Sequence, residues 1–197
     1  MVGAPRTIHE LLLSAAICVG VSAAICVQPV YARAEHKADV EVAFTPADDV
    51  AGMIVERIGR ARQSVRMQAY LFTDRRIANA LLAARKRGVE VEVIGDAAQQ
   101  ESGGLPHLKA LARAGARVYL NASHAAAHDK IVIIDGDSAA AAVITGSYNF
   151  THAAQAKNAE NVVVISGNRA VTDRFVENFA RHRERSAPWR ARPRPRR

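Results

Sequence analysis

The sequence predicts an α/β domain in which helices flank a mixed β-sheet. The spacing of apolar residues switches repeatedly between a period of two, typical of strands, and a period of 3.6, typical of helices. Strands and helices alternate in the first half of the chain, and a hairpin follows in the second half. Residues 35–180 number 146, which is enough for one domain with a buried core.

Four strands are predicted in the first half of this domain. They are short apolar segments rich in β-branched residues, and in the third of them Glu90 and Glu92 alternate with apolar residues. Each is separated from the next by enough chain for a helix. The predicted strands are Val40–Phe44, Ser64–Phe72, Val89–Ile94 and Val118–Leu120.

Helices with recognisable start and stop signals fill the intervals between these strands. Thr45 and Pro46 supply an N-cap and an N1 proline for the first helix, and Thr73 caps the second. Gly88 and Gly115 stand where a C′ glycine would end the second and third helices. The apolar residues of the first two helices are Val50, Ile54, Val55, Ile58, Ile77, Leu81 and Leu82, and the third helix is Leu105–Ala114.

A hairpin, a strand and a long helix are predicted in the second half. The hairpin pairs Lys130–Ile134 with Ala139–Thr145 around Gly136 and Asp137. After a short helical piece comes a strand, Asn161–Ile165. The last helix, 169–183, is amphipathic, with apolar residues at Val171, Phe175, Val176 and Phe179.

The first 34 residues predict a secretory signal peptide. Arg6 precedes an apolar run of 17 residues, Leu11–Val27, and Ala32-Arg33-Ala34 places small residues at a cleavage site. Cleavage after Ala34 would make the protein periplasmic or secreted. Because the run approaches the length of a membrane span, an uncleaved N-terminal anchor is the alternative. Both cysteines lie in this segment, so the mature chain needs no disulfide.

The positive charge of the chain is concentrated at its C-terminal end. The formal charge is +8, and residues 181–197 contribute +7 of it through eight arginines and one glutamate. Alternating Arg and Pro predict a disordered tail at residues 184–197, after a catalytic domain at residues 35–183. The tail is either a solubilising end or a polycation that binds phosphate backbones or an anionic membrane surface. Its candidate nucleic-acid contacts are Trp189, which would stack on a base, and Arg190, Arg192, Arg194, Arg196 and Arg197.

The segment after residue 123 carries the most informative polar pattern. His124 and His128 are four residues apart, as in helical metal pairs, but no glutamate accompanies them and the following IVII favours a strand, so no metal site is predicted. On a strand, His128 and Lys130 point to one face, and Asp135 points to the other, which predicts a structural role for Asp135. Lysine would neutralise a phosphate, and imidazole, with an ordinary pKa of about 6.5, would act as nucleophile or acid.

Ser147 and Asn149 repeat this spacing at the end of the next predicted strand. Their hydroxyl and amide groups would donate hydrogen bonds to the same anion, and Gly146 would let the backbone come close. Each residue also has an ordinary explanation, because histidines at strand ends are commonly exposed and Ser and Asn are common in turns. The residue types alone therefore do not decide whether these residues form a functional site.

Together these residues form the pattern His128-x-Lys130-x4-Asp135, followed by Gly146-Ser147-Tyr148-Asn149 and Glu160-Asn161. The pattern resembles the HKD motif of the phospholipase D superfamily, and especially that of its small secreted endonucleases, which carry a single motif. Segments 42–46, 64–70 and 84–89 are also similar to segments of that family, so the resemblance covers about residues 40–180. Two departures are a slightly longer hairpin at 137–142 and the Arg/Pro tail.

The resemblance implies a phosphodiesterase that needs no metal or cofactor and forms a phosphohistidine intermediate. Family members use two HKD motifs, so it implies that this chain works as a homodimer with two copies of His128 at one shared site. One imidazole would attack phosphorus and the other would protonate the leaving group. Lys130, Ser147 and Asn149 would hold the nonbridging oxygens, and Glu160 would accept a hydrogen bond from His128 and fix its tautomer.

Two substrate classes remain open. The first is nucleic acid. The protein would then be an endonuclease with little sequence preference that cuts DNA and also RNA. The second is a phospholipid headgroup. A hypothesis of another kind is that the protein is not an enzyme and binds nucleic acid or membrane. Because the body shows no apolar loop for acyl chains and the tail is rich in arginine, the sequence favours the nuclease.

Overall fold

Residues 37–189 are described by a computed structural model, in which helices flank one eight-stranded mixed β-sheet. The predicted fold class is therefore confirmed. The predicted signal peptide, both cysteines and residues 190–197 lie outside the described residues. No helix within residues 37–189 is long and apolar enough to cross a membrane.

The strands follow the order β1-β7-β6-β5-β2-β3-β4-β8 across the sheet. β2, β3 and β4 are parallel to one another, and every other pairing is antiparallel. The strands are β1 (Asp39–Thr45), β2 (Ser64–Ala69), β3 (Glu90–Asp96), β4 (Arg117–Asn121), β5 (Lys130–Ile134), β6 (Ala142–Gly146), β7 (Glu160–Ser166) and β8 (Ser186–Pro188).

Helices cover both faces of the sheet. The α1, α2 and α4 helices bury Ile54, Leu81 and Leu111 in the larger apolar cluster, and α6 buries Phe179 in the smaller cluster on the opposite face. The helices are α1 (Val50–Arg60), α2 (Arg75–Lys86), α3 (Ala97–Glu101), α4 (Leu108–Arg113), α5 (His152–Ala156) and α6 (Arg169–Glu184).

In the central strand β5, alternate residues contribute to the two apolar clusters. Val132 contributes to the larger cluster, whereas Ile131 and Ile133 contribute to the smaller one. All residues of β5 are buried, because helices cover it on both sides. This explains why its sequence is a continuous apolar run.

Two helices begin later than predicted, because aspartates cap them. Asp49 caps α1 and accepts a hydrogen bond from the Gly52 amide at 3.1 Å, while residues 46–48 form a turn. Asp74 caps α2 and accepts from the amides of Arg76 and Ile77. In both places a carboxylate takes the cap position that the threonine before it was predicted to fill.

The prediction of a disordered tail from residue 184 is wrong for its first residues. α6 ends at Glu184, and β8 then pairs antiparallel with Tyr119–Asn121 of β4. Pro188 is accommodated because β8 is the edge strand, where one side of the backbone needs no partner. The short helix α3 was also not predicted, and β6 begins at Ala142 because residues 135–141 form a turn.

One end of the sheet gathers the polar residues that the sequence singled out. In register, Ala69 pairs with Lys130, Gly146 with Val162, and Thr45 with Glu160. The last residues of β1, β2 and β6 therefore lie beside the first residues of β5 and β7. We call this region the polar end of the sheet; its strands stop or start at Thr45, Ala69, Asp96, Asn121, Lys130, Gly146 and Glu160.

Candidate active site

His128 and Lys130 form one unit where β5 begins. His128 is exposed and precedes the strand by two residues, whereas Lys130 is its first residue and is only 7% exposed. The Lys130 ammonium lies 3.0 Å from His128 Nδ1 and donates to the His128 carbonyl at 2.5 Å. The predicted pair is thus brought together, with Nε2 as the ring nitrogen that does not face Lys130.

Tyr70 supports both members of this unit. Its ring lies 4.3 Å from the His128 ring, and the Lys130 ammonium lies 5.2 Å from the centroid of the Tyr70 ring. The Tyr70 hydroxyl accepts a hydrogen bond from Gln99 at 2.9 Å. Sequence reasoning assigned Tyr70 no role; the available signal is an aromatic residue directly after β2, the strand that pairs with β5.

Burial lowers the pKa of Lys130 below the ordinary lysine value, and the charges of Asp129 and Glu160 oppose this only in part. Desolvation makes the buried ammonium less stable than it would be in water. A bound anion would restore that stability. The unit therefore has the electrostatics of a site for phosphate.

Ser147 and Glu160 meet across β6 and β7. The Ser147 hydroxyl donates to the Glu160 carboxylate at 2.5 Å and accepts from the Asn161 amide at 3.0 Å. The side chain of Asn158 donates to the other oxygen of Glu160 at 2.9 Å. Glu160 is thereby fixed close enough to Lys130 to influence its pKa.

Within one chain, Glu160 does not make the contact predicted with His128. Its carboxylate is bonded to Ser147 and Asn158, and His128 Nδ1 faces Lys130 instead. An ammonium group can only donate hydrogen bonds, so Nδ1 accepts and the proton of a neutral ring lies on Nε2. A nucleophile instead needs a lone pair on Nε2, with the proton on Nδ1.

Gly146 is required where β6 and β7 approach each other. A Cβ atom at this position would lie 2.1 Å from the Asn161 carbonyl oxygen, and the φ of Gly146 is +155°. The next amide, that of Ser147, donates to the same oxygen at 3.1 Å. This close approach joins two strands of the sheet, and the predicted approach of the Gly146 backbone to an anion stays a prediction.

Asn149 lies on the turn that follows Ser147 and is half-buried. This turn is tied to the segment after β2, because the amides of Thr73 and Asp74 donate to the Phe150 carbonyl, each at 2.9 Å. Among the described residues, no donor reaches the buried side-chain oxygen of Asn149. Its amide nitrogen is the group that can donate to a phosphate.

Asp135 lies at the opposite end of β5. Its carboxylate accepts from the backbone amides of Arg62, Gln63 and Ser64 at 2.7–3.1 Å. It follows His128 by seven positions, which span at most about 23 Å along an extended chain. The structural role of Asp135 stays a prediction, which these contacts support.

His124 belongs to a separate cluster beside the site. Residues 122–129 form a loop rather than a helix, so His124 and His128 do not form a helical metal pair. The His124 ring stacks on His182 at 5.2 Å, and His182 lies 3.7 Å from Asp129. Within residues 37–189, no group of three or more His, Cys, Asp or Glu residues could hold a metal ion.

Trp189 does not project freely from the domain. It is half-buried against the larger apolar cluster, and its amide donates to the Val118 carbonyl at 2.8 Å. The other residues predicted to contact nucleic acid lie outside the described residues: Arg190, Arg192, Arg194, Arg196 and Arg197.

Comparisons with known proteins agree with this geometry. Residues 54–183 match a family model described as cardiolipin synthase, PLD-like domain. A phospholipase D from Rickettsia bellii is 35% identical over 150 residues, which cover 76% of this chain and 72% of that protein. A mitochondrial cardiolipin hydrolase from Xenopus tropicalis is 31% identical over 62% of this chain and 55% of its own length. The crystal structure of the phospholipase D family member Nuc from Salmonella typhimurium superposes with a TM-score of 0.70 at 32% identity, covering 78% of this chain and 99% of Nuc.

Proposed function

Because the chain belongs to the phospholipase D superfamily, we propose that this phosphodiesterase is a metal-independent endonuclease that cuts DNA, and RNA as a second polymer, with little sequence preference. The observation that carries the proposal is the exposed His128 bound to the buried Lys130 at the polar end of the sheet. Ser147, Asn149 and Glu160 come to the same end from neighbouring strands.

The proposed reaction has two displacements at phosphorus. Nε2 of one His128 attacks, a phosphorus–nitrogen bond forms, and the bond to the leaving oxygen breaks as a second, protonated imidazole donates its proton. Water then gives its proton to that imidazole and attacks phosphorus, which releases His128. Lys130, Ser147 and Asn149 hold the nonbridging oxygens, and each such preorganised donor is typically worth about 10²–10³ in rate.

Two copies of the chain supply the two imidazoles. Each copy carries one His128 at the polar end, and a single imidazole cannot stand on both sides of phosphorus. The attacking ring also needs an acceptor at Nδ1, a position that Lys130 occupies within one chain. In the proposed two-fold dimer, Glu160 of the second copy provides that acceptor and frees the lone pair on Nε2.

An exposed apolar row on β1 supports this dimer. Val40, Val42 and Phe44 are 58%, 50% and 56% exposed. Phe44 pairs with Asn161, next to Glu160, so the row begins at the polar end of the sheet. A contiguous apolar surface of this kind is typical of protein contacts, and we propose that it packs against the second copy.

We favour nucleic acid over lipid as the substrate because the rim of the site is polar. Within residues 37–189, the large apolar side chains that are exposed are the three of the β1 row. The loops beside His128 and Glu160 expose Ser123, His124 and Asn158 instead. Such a rim suits a phosphate backbone better than it suits acyl chains.

A phospholipase is the second candidate. Phe44 lies near the site and is 56% exposed, and the curated relatives are called phospholipase D or cardiolipin hydrolase. If the β1 row inserted into a bilayer instead of binding a second copy, the same chemistry would act on a lipid headgroup. Vesicles of anionic phospholipid, assayed beside plasmid DNA, separate the two candidates.

We also propose that the chain is exported and cleaved after Ala34. The apolar run and the small residues at positions 32 and 34 support this proposal. The intact mass of protein recovered from a periplasmic fraction should correspond to a chain that begins at Glu35. A mass that retains residues 1–34 in a membrane fraction would favour the anchor.

Plasmid cleavage tests the proposed chemistry directly. The mature chain from Glu35 should nick and linearise plasmid equally well with and without excess EDTA. His128→Ala should lose the activity, because both imidazoles of the dimer disappear. Abolition by EDTA would overturn the metal-independent mechanism, and activity in His128→Ala would overturn the role of His128.

A further inference from the structure

Asp96 is a buried carboxylate beside the active site that the proposed mechanism does not use. It is the last residue of β3, at the polar end of the sheet, and is only 3% exposed. Within residues 37–189, no lysine, arginine or histidine forms an ion pair with it. Because a buried charge without partners is costly, other groups must stabilise this carboxylate.

Two backbone amides from different segments stabilise it. One carboxylate oxygen accepts a hydrogen bond from the Gln99 amide at 2.9 Å and thereby caps α3. The other oxygen accepts from the Ala127 amide at 2.8 Å. An ionised carboxylate has only acceptors, so it suits two N–H donors at once. Asp96 therefore ties the start of α3 to the residue directly before His128.

The bond to Ala127 matters because no strand holds the chain around His128. β4 ends at Asn121 and β5 begins at Lys130, and residues 122–129 between them form a loop. Ala125 and Ala126 are exposed, and their methyl side chains cannot bond the loop to the domain. The hydrogen bond from Ala127 to Asp96 fixes the backbone one residue before His128, and so the direction in which its ring leaves the chain.

α3 reaches the same imidazole by a second route. The side chain of Gln99 donates to the Tyr70 hydroxyl at 2.9 Å, and the Tyr70 ring lies 4.3 Å from the His128 ring. Gln99 is also the residue whose amide is bonded to Asp96. Asp96 is thus connected to His128 through the backbone on one side and through a ring contact on the other.

We propose that Asp96 is a positioning residue that holds His128 in line with phosphorus. It acts through Ala127 and Gln99 rather than by contact with the substrate. The inference rests on the proposed function, in which His128 attacks phosphorus, and adds the group that fixes the direction of attack. Displacing an attacking group by about 1 Å costs about 10²-fold in rate.

Asp96→Asn separates the two bonds of the carboxylate. Asparagine caps helices as well as aspartate does, so we expect its oxygen to stay on α3 and its NH₂ group to face the Ala127 amide, donor against donor. Asp96→Ser keeps the cap through its hydroxyl and lacks the second oxygen. In both variants, kcat for bis-p-nitrophenyl phosphate should fall about 10²-fold. The inhibition constant of inorganic phosphate should stay close to wild type, because Lys130, Ser147 and Asn149 bind the phosphate.

Asp74→Asn is the matched control. Asp74 is 4% exposed and caps α2 with one oxygen, as Asp96 caps α3. Its other oxygen lies 3.7 Å from Arg76 instead of bonding the loop before His128. The substitution removes the same charge at the same depth and leaves the backbone amide of residue 74 in place. It should therefore leave kcat close to wild type.

Hydrogen exchange of the Ala127 amide, measured by NMR, reports on the contact itself. This amide should exchange slowly in the wild-type protein and in Asp74→Asn, and faster in Asp96→Asn. The amides of β3 should keep their protection in all three proteins. A general loss of stability would instead raise exchange in β3 as well.

The inference fails if Asp96→Asn and Asp96→Ser keep the wild-type kcat while His128→Ala is inactive, and the proposed function then still stands. It also fails if kcat and phosphate affinity fall together, or if Asp74→Asn loses as much kcat, because Asp96 would then only stabilise the fold. Activity in His128→Ala would remove the proposed function, and this inference with it.

Discussion

Lys130 links the burial of the site to the pH at which it can work. Because burial lowers its pKa, the ammonium loses its proton at a lower pH than an ordinary lysine with a pKa of 10.5. The charge that holds phosphate is present below the lowered pKa and disappears as the pH rises through it. Affinity for phosphate should therefore fall with rising pH at a pH below 10.5.

Lys130→Arg tests this assignment. A guanidinium stays protonated throughout the accessible pH range, so the variant should keep its charge and its affinity for phosphate should not fall in the pH range where Lys130 loses its proton. The measurement is the inhibition constant of inorganic phosphate against pH. An identical fall in both proteins would assign it to another group.

At the scale of residues, the sequence predicted those side-chain contacts that depend on geometry within one segment. His128 and Lys130 are two residues apart, and their side chains meet because Lys130 begins the strand. Glu160 and Tyr70 depend on contacts between strands. Strand register decides that Glu160 is bonded to Ser147 and that Tyr70 lies beside His128, and spacing within one segment does not reveal register.

At the scale of elements, the turn before β2 depends on Asp135. Its carboxylate accepts from three consecutive amides and is only 7% exposed. Asp135→Asn keeps the shape but replaces one acceptor oxygen with a donor, so the free energy of unfolding should fall by about 1–3 kcal/mol. Urea unfolding measures the change. Activity of the folded variant on a small diester should stay close to wild type, because Asp135 lies at the end of β5 opposite His128.

Asp137 offers a control on the same loop. It is 62% exposed and pairs with Arg66, so Asp137→Asn should change stability by less than about 1 kcal/mol. If Asp135→Asn instead lost activity at unchanged stability, Asp135 would act in the chemistry.

Most elements were predictable because their patterns are local. The seven longer strands follow apolar runs, and Gly88 ends α2 with a φ of +90°. The predicted helix starts were wrong where Asp49 and Asp74 compete with nearby threonines for the cap. β8 was missed because its order comes from pairing with β4, which an Arg/Pro composition conceals.

At the scale of the whole molecule, the β1 row and the single His128 point to the same arrangement. One copy has half of the acid and base groups that the reaction needs, and its exposed apolar row begins beside those groups. The opposite edge strand, β8, has no comparable row, because its outer residues are Ala187 and Pro188. The two edges therefore provide a matched comparison.

Phe44→Glu should convert the protein to a monomer and remove most of its activity. A charge within a packed apolar contact would be buried without a partner, which opposes association. Ala187→Glu adds the same side chain at the other edge and should keep both mass and activity. Sedimentation equilibrium gives the mass, and hydrolysis of a small diester gives the rate, which should fall about 10²–10⁴-fold because the second imidazole is lost. A fully active monomer would show that one chain completes its own site. If the wild-type protein is itself a monomer, the β1 row must bind something other than a second copy.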